Sequence, residues 1–156
     1  MEASTKSEFE VRLLCLGNDI LADDAFGIRV AEKLRERLPE TIDVVSSMES
    51  GLRLMDYILG VPRVVVIDTV QTGSAPPGTI FTLREGDFDV AHGSSAHYIG
   101  LFETLALGRK LDLPVASDLA IIAVEAADCQ TLGGEMDPAV ERAIPEVVGR
   151  VEEMVR

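Results

Sequence analysis

Three polar features break an otherwise aliphatic chain. The first is Gly17-Asn18-Asp19-Ile20-Leu21-Ala22-Asp23-Asp24-Ala25-Phe26-Gly27. The second is Asp68, directly behind Val64-Val65-Val66-Ile67, and the third is His97, with His92 nearby. Two carboxylates, Asp24 and Asp68, and one imidazole make an oxygen/nitrogen donor set for a borderline divalent metal such as Zn²⁺ or Ni²⁺. The many thiolates of a soft-metal or iron–sulfur centre are missing, since the only cysteines are Cys15 and Cys129. Each feature also has a plain structural reading. An Asp behind a strand serves as a turn or cap residue. Asp23-Asp24 ahead of a helix is favoured by the helix dipole alone. A lone His ahead of a helix can be a cap or a surface residue.

The elements that must position these residues follow from periodicity. Apolar runs alternate with amphipathic stretches, the pattern of a layered α/β domain. Val11 to Leu16 is an apolar run stopped by Gly17-Asn18, which predicts a buried first strand. Phe26, Val30, Leu34 and Leu38 recur near helical spacing until Pro39. Ile42 to Val45 reads as a short strand, and Leu52, Leu54, Met55, Ile58 and Leu59 predict a second helix closed by Gly60. Val64 to Ile67 is the most β-branched run and predicts a central strand ending in Asp68. Residues 71–78 read as a loop, and Thr79 to Leu83 as a further strand. Arg84 to Ser95 has little periodicity, and such a segment inside a compact domain is often functional. His97 to Leu111 is helical in spacing and Ala120 to Val124 is a buried strand. Asp137-Pro138 opens the last helix, with Asp as the cap and Pro at the first helical position. The sum is a three-layer α/β/α sandwich over residues 10–156, with 1–9 as a loose leader. In open α/β sheets ligands bind beyond the carboxyl ends of the strands. Asp24 follows the first strand, Asp68 ends the central one, and His97 follows a later one. All three can therefore meet at one crevice.

Composition narrows the function. A chain of 156 residues suits one domain. It has 14 Lys+Arg against 27 Asp+Glu, a net charge of −13. That balance argues against a nucleic-acid partner gripped through phosphates, and against a basic helix lying on a membrane. Aromatics are 4%, so stacking platforms for bases are scarce. No apolar run approaches the ~20 residues of a membrane span, and Met1 to Glu10 has no apolar signal region. The expected compartment is the cytoplasm, and both cysteines are expected to be buried free thiols. Several motifs are excluded. Cys15-Leu16-Gly17-Asn18-Asp19-Ile20 is not a dinucleotide fingerprint, and there is no phosphate-loop lysine. Asp19 to Asp24 lacks the glycine and distal Glu of an EF-hand loop. Ser94 and Ser95 lie near both histidines without a G-x-S-x-G elbow.

From about Arg12 to Val155 the chain resembles the hydrogenase maturation proteases, endopeptidases that trim the C-terminus of the large subunit of nickel–iron hydrogenases. The resemblance is carried by Leu16-Gly17-Asn18 with Asp23-Asp24-Ala25-Phe26-Gly27, then Val66-Ile67-Asp68-Thr69-Val70 with Gly73. It continues with Ser95-Ala96-His97-Tyr98-Ile99-Gly100-Leu101 and Asp137-Pro138-Ala139-Val140 leading into Ala143-Ile144-Pro145. It implies an α/β/α fold on a five-stranded, mostly parallel mixed sheet with one antiparallel strand, of the phosphorylase/hydrolase-like kind. Thr79 to Leu83 is a candidate for that strand. It further implies metal-binding positions at Asp24, Asp68 and His97; His92 matches no family motif. The implied partner is a [NiFe]-hydrogenase large-subunit precursor already loaded with nickel, cut after a basic residue just beyond its last metal-binding cysteine motif. The nickel is then the substrate's, and Zn or Cd suits the same donors. Hydrolysis follows by a metal-polarised carbonyl, by a metal-activated water, or with a carboxylate as general base, for which Asp24 is the first candidate and Asp68 the second. Such an aspartic-type-like peptidase is expected as a cytoplasmic monomer, with no membrane and no nucleic acid involved.

The departures bear on the substrate. The family more often has Glu where Asp24 stands and Gly where Ala25 stands, and the first glycine of its Gly-x-Gly-Asn turn is Cys15 here. An Asp-Gly-Gly-Thr-like stretch linked to substrate recognition reads Ser46-Ser47-Met48-Glu49-Ser50-Gly51. Two other functions therefore stay open: a non-cutting, nickel-sensing maturation chaperone, and an unrelated small metallohydrolase or nucleotide-binding domain. The missing phosphate loop counts against nucleotides.

Overall fold

Strands buried on both faces read as continuous apolar runs, and three of the five strands here do so. In the computed structural model, which describes residues 8–84 and 96–156, the strands are Val11–Leu16 (β1), Asp43–Ser47 (β2), Arg63–Val70 (β3), Ile80–Arg84 (β4) and Asp118–Glu125 (β5). They form one sheet in the order β2-β1-β3-β5-β4. All neighbours run parallel except β4, which is antiparallel to β5. The strand expected at Thr79 to Leu83 is thus the antiparallel one.

Alternation along the strands feeds two cores. Leu13, Cys15, Val65, Ile67, Ile122 and Val124 face one side, where they meet Phe26, Val30 and Leu34 of α1 (Phe26–Arg37) and Val140, Val147 and Val151 of α4 (Pro138–Met154). Leu14, Leu16, Val64, Val66, Ile121 and Ala123 face the other. There they meet Ile58 of α2 (Met55–Ile58) and Leu101 and Leu105 of α3 (Ala96–Lys110). This is the three-layer α/β/α sandwich, held by aliphatic burial on both faces of the sheet.

The second helix is shorter than its apolar spacing predicts. Gly51–Leu54 is a single 3-10 turn, and α2 adds only Met55–Ile58. Leu59 is already extended and bridges Val115, while the Gly60 N–H donates to Pro114 O at 2.8 Å. The chain is tied to the segment entering β5, so the helix stops there. The last helix starts as expected: Asp137 Oδ1 accepts the Ala139 N–H at 2.8 Å, and Pro138 takes the first position.

The connections place a crevice. From β1 the chain runs through α1 to β2 on one side, then crosses back to β3 on the other side of β1. The carboxyl ends of β1 and β3 flank this reversal of strand order, where open α/β sheets bind ligands. The expected leader at 1–9 lies almost wholly outside the described residues, as do His92, Ser94, Ser95 and nearly all of the aperiodic segment from Arg84 to Ser95.

Candidate active site

The turn after β1 is built by close approach. A Cβ on Gly17 would lie 2.2 Å from Asp24 O, and one on Gly27 would lie 2.1 Å from Leu16 O. Only hydrogen at both positions lets the turn at Ala22–Ala25 and the start of α1 sit directly on the end of β1. Within the turn, the Asn18 N–H donates to Asp24 O at 3.1 Å, and Asn18 O accepts the Leu21 N–H at 3.2 Å.

Asp23 and Asp24 then part company. Asp23 is fully buried (0% exposed). Its Oδ2 accepts the N–H groups of Ala127 and Asp128 at 2.8 Å each, and its Oδ1 accepts that of Asp137 at 2.7 Å. It is a clamp on the segment between β5 and α4, a more specific role than attraction to a helix dipole. With Asp23 committed inward, the next carboxylate, Asp24, is half-buried and lines a cleft of about 370 Å³.

Asp68 lines the same cleft from β3. Sequence reasoning puts Asp68 at the strand's end, yet β3 runs two residues further, to Val70, because β5 pairs with it as far as Val70↔Glu125. Asp68 is only 6% exposed. Burial pushes its pKa up to about 8; the Thr69 N–H, donated to Asp68 Oδ1 at 2.8 Å, opposes this, and the nearby Asp24 charge adds to it. A carboxylate so placed is short of positive charge. Asp24, Glu49 and Asp68 all line the cleft, and no Lys or Arg does so among the described residues.

Thr69 ties the two carboxylates together. Its N–H serves Asp68, and its Oγ1 donates to Asp24 Oδ1 at 3.3 Å. Its hydroxyl also lies 3.5 Å from Cys129 Sγ. A hydroxyl has one proton and a carboxylate only accepts, so the thiol must be the donor in that contact. Burial pushes the Cys129 thiol up to about 11, and the charges of Asp24, Asp23 and Asp68 add to this, so the thiol stays protonated at neutral pH. Cys129 is therefore not the fully buried thiol its sequence context suggests: it is half-buried on the cleft wall. Cys15 is buried as expected.

The structure brings Asp24 and Asp68 to one cleft at the switch point. The His97 backbone lies in the first turn of α3, and its side chain lies outside the described residues. Among the described residues, no three His, Cys, Asp or Glu side chains gather closely enough to hold an ion by themselves. Thr69 and Cys129 are not among the candidates that the sequence motifs single out, yet both line this cleft. The signal was available for both: Thr69 adjoins Asp68, and Cys129 lies just past the carboxyl end of β5, where the same topological rule applies.

An open α/β sheet with acidic side chains gathered at its switch point has the layout of a small enzyme domain with a ligand cleft. The family model for hydrogenase maturation proteases (HycI) matches residues 28–154, and the chain belongs to that family. Asp68 and His97 fall inside the matched span; Asp24 stands just ahead of it. The hydrogenase expression/formation protein HupD of Rhodobacter capsulatus is 28% identical over 135 residues, covering 83% of this chain and 63% of that protein. HupD of Thiocapsa roseopersicina is 29% identical over 149 residues, covering 92% of this chain and 66% of that one. The chain thus spans just under two thirds of the length of these two relatives. Among solved structures, the [NiFe] hydrogenase maturation protease HybD from Thermococcus kodakarensis is 27% identical. It superposes with a TM-score of 0.75 over 95% of this chain and 100% of that one.

Proposed function

We propose that this protein is an endopeptidase that removes the C-terminal extension of a nickel-loaded [NiFe]-hydrogenase large-subunit precursor, acting as a monomer in the cytoplasm. No helix among the described residues is long and apolar enough to cross a membrane. The observation that carries the reading is the carboxylate pair: Asp24 and Asp68 share Thr69 as a hydrogen-bond partner at the mouth of β1 and β3, in a cleft with no basic lining residue among those described. Such a pair suits a cation that arrives with the substrate. Asp24, Asp68 and His97 complete the coordination of the precursor's nickel, and Zn²⁺ or Cd²⁺ fits the same oxygen and nitrogen donors. Ligation in the charged form offsets the cost of burying Asp68.

Nickel held there polarises the neighbouring carbonyl. Asp24 is the general base. It is less buried than Asp68, and the Thr69 hydroxyl orients it. It takes a proton from the attacking water and returns it to the leaving amine.

The test is to weigh the precursor by intact mass spectrometry after mixing it with the protein, with and without nickel. The expected result is a nickel-dependent loss of one C-terminal peptide, absent with Asp24→Ala, Asp68→Ala and His97→Ala. Tight binding with no loss of mass from any precursor would overturn the reading in favour of a non-cutting, nickel-sensing chaperone.

A further inference from the structure

Peptide hydrolysis places negative charge on the scissile carbonyl oxygen, and preorganised N–H donors aimed at that oxygen are commonly the largest single aid to the reaction. The cleft wall is rich in the opposite kind of group, since Asp24, Glu49 and Asp68 only accept when charged. Its donors are mostly spent. The Thr69 hydroxyl proton goes to Asp24, and the Cys129 thiol proton goes to Thr69. Gln71 Nε2 donates to Ala127 O at 2.9 Å.

Asn18 differs. It is half-buried and lines the cleft. Its Oδ1 accepts the Ile20 N–H at 3.2 Å, which assigns the amide: oxygen toward the loop, nitrogen at the other end. Neither Nδ2–H has a partner among the described residues. The backbone on which it stands is fixed at both polar groups: the N–H donates to Asp24 O at 3.1 Å, and the C=O accepts from Leu21 at 3.2 Å. The donor and the candidate base are thereby held in one rigid turn.

We propose that Asn18 Nδ2 is the side-chain oxyanion donor of the cleavage reaction, an inference that rests on the endopeptidase reading above. Water adds to the scissile carbonyl carbon, and its proton passes to Asp24. The carbonyl π pair moves onto oxygen, where Asn18 Nδ2–H meets it. As the pair returns, the C–N bond breaks, the amine leaves with the proton from Asp24, and a carboxylic acid remains.

The experiment compares wild type, Asn18→Ala and Asn18→Asp in single-turnover cleavage of nickel-loaded precursor, with precursor affinity and thermal unfolding measured on each. Asp at this position keeps an oxygen for the Ile20 N–H and so keeps the turn, but it has no N–H to give. Both variants are expected to bind precursor within about threefold of wild type and to cleave about 10²–10³-fold more slowly. Asn18→Asp cleaving within threefold of wild type would overturn the assignment. So would an Asn18→Ala rate loss matched by lost affinity and a lowered Tm while Asn18→Asp stays active, since Asn18 would then be a turn residue alone. A wild-type protein that never cuts would instead sink the endopeptidase reading itself.

Discussion

Asp23 Oδ1 accepts the backbone N–H of Asp137 at 2.7 Å, joining the turn after β1 to the cap of α4 across 114 residues. The same carboxylate holds the N–H groups of Ala127 and Asp128. Removing it leaves three backbone donors without their acceptor in a dry site. Asp23→Ala should therefore cost about 2–5 kcal/mol, read as a lower urea midpoint. Asp24→Ala, half-buried on the cleft, should cost less than about 1 kcal/mol while abolishing cleavage. Equal destabilisation by the two would refute the division of labour between these neighbours.

Thr69 should behave as a positioning residue. Thr69→Val removes the hydroxyl that meets Asp24 and Cys129 but keeps the backbone N–H on Asp68. Turnover should fall about tenfold or more, with precursor affinity nearly unchanged, while Thr69→Ser restores it. The discriminating readout is the split between kcat and KM: kcat should fall in Thr69→Val while KM stays nearly unchanged, and Thr69→Ser should return kcat alone. Equal kcat values in wild type and Thr69→Val would mean that the hydroxyl only fills space.

Much of this was legible in the sequence, for definite physical reasons. Doubly buried strands announce themselves as unbroken β-branched runs, so β1, β3 and β5 could be placed within a few residues. The strand rule then brought Asp24 and Asp68 to one crevice. What stayed hidden depended on three-dimensional bookkeeping. Asp23 and Asp24 are the same residue type side by side, and only the fold shows one as a clamp and the other as cleft wall. The second helix failed because helical spacing cannot register that Leu59 is wanted by Val115, a partner far along the chain. Cys129 read as another aliphatic-context thiol because its partner, the Thr69 hydroxyl, lies on β3, 60 residues away in the chain.

Two glycines in helices should respond oppositely to alanine. A Cβ on Gly27 meets Leu16 O at 2.1 Å, a backbone atom that cannot move aside without shifting β1. Gly27→Ala should cost about 1–3 kcal/mol and disturb the cleft, since the turn carrying Asp24 runs directly into the helix start that Gly27 seats on β1. At Gly149, in α4, a Cβ meets nothing within 4 Å. Gly149→Ala should raise stability by about 0.5–1 kcal/mol through helix propensity, with cleavage unaffected. Chemical denaturation of both variants checks the pair; a stabilising Gly27→Ala would contradict the close packing of α1 on β1.

The buried carboxylate predicts an unusual dependence of stability on pH. Asp68 has a folded pKa of about 8 against an ordinary 3.8, so between these values the native state holds a proton that the unfolded chain gives up. Where the native state binds more protons, stability falls as pH rises. The Asp68 contribution is therefore intact below about pH 4, is lost progressively up to about pH 8, and is fully unfavourable above that. Asn at this position is neutral throughout and can still accept the Thr69 N–H. The stability difference between Asp68→Asn and wild type should consequently widen in the variant's favour from pH 5 to pH 8, by on the order of 1 kcal/mol or more, or about 2–4 °C in Tm for each kcal/mol. A divalent cation in the cleft favours the charged carboxylate and works the other way. Added Ni²⁺ or Zn²⁺ should raise wild-type stability at pH 8 and leave Asp68→Asn almost unmoved. A difference that stays flat with pH would show that Asp68 is charged and well solvated in the native protein, and a site built to await a cation would lose its electrostatic basis.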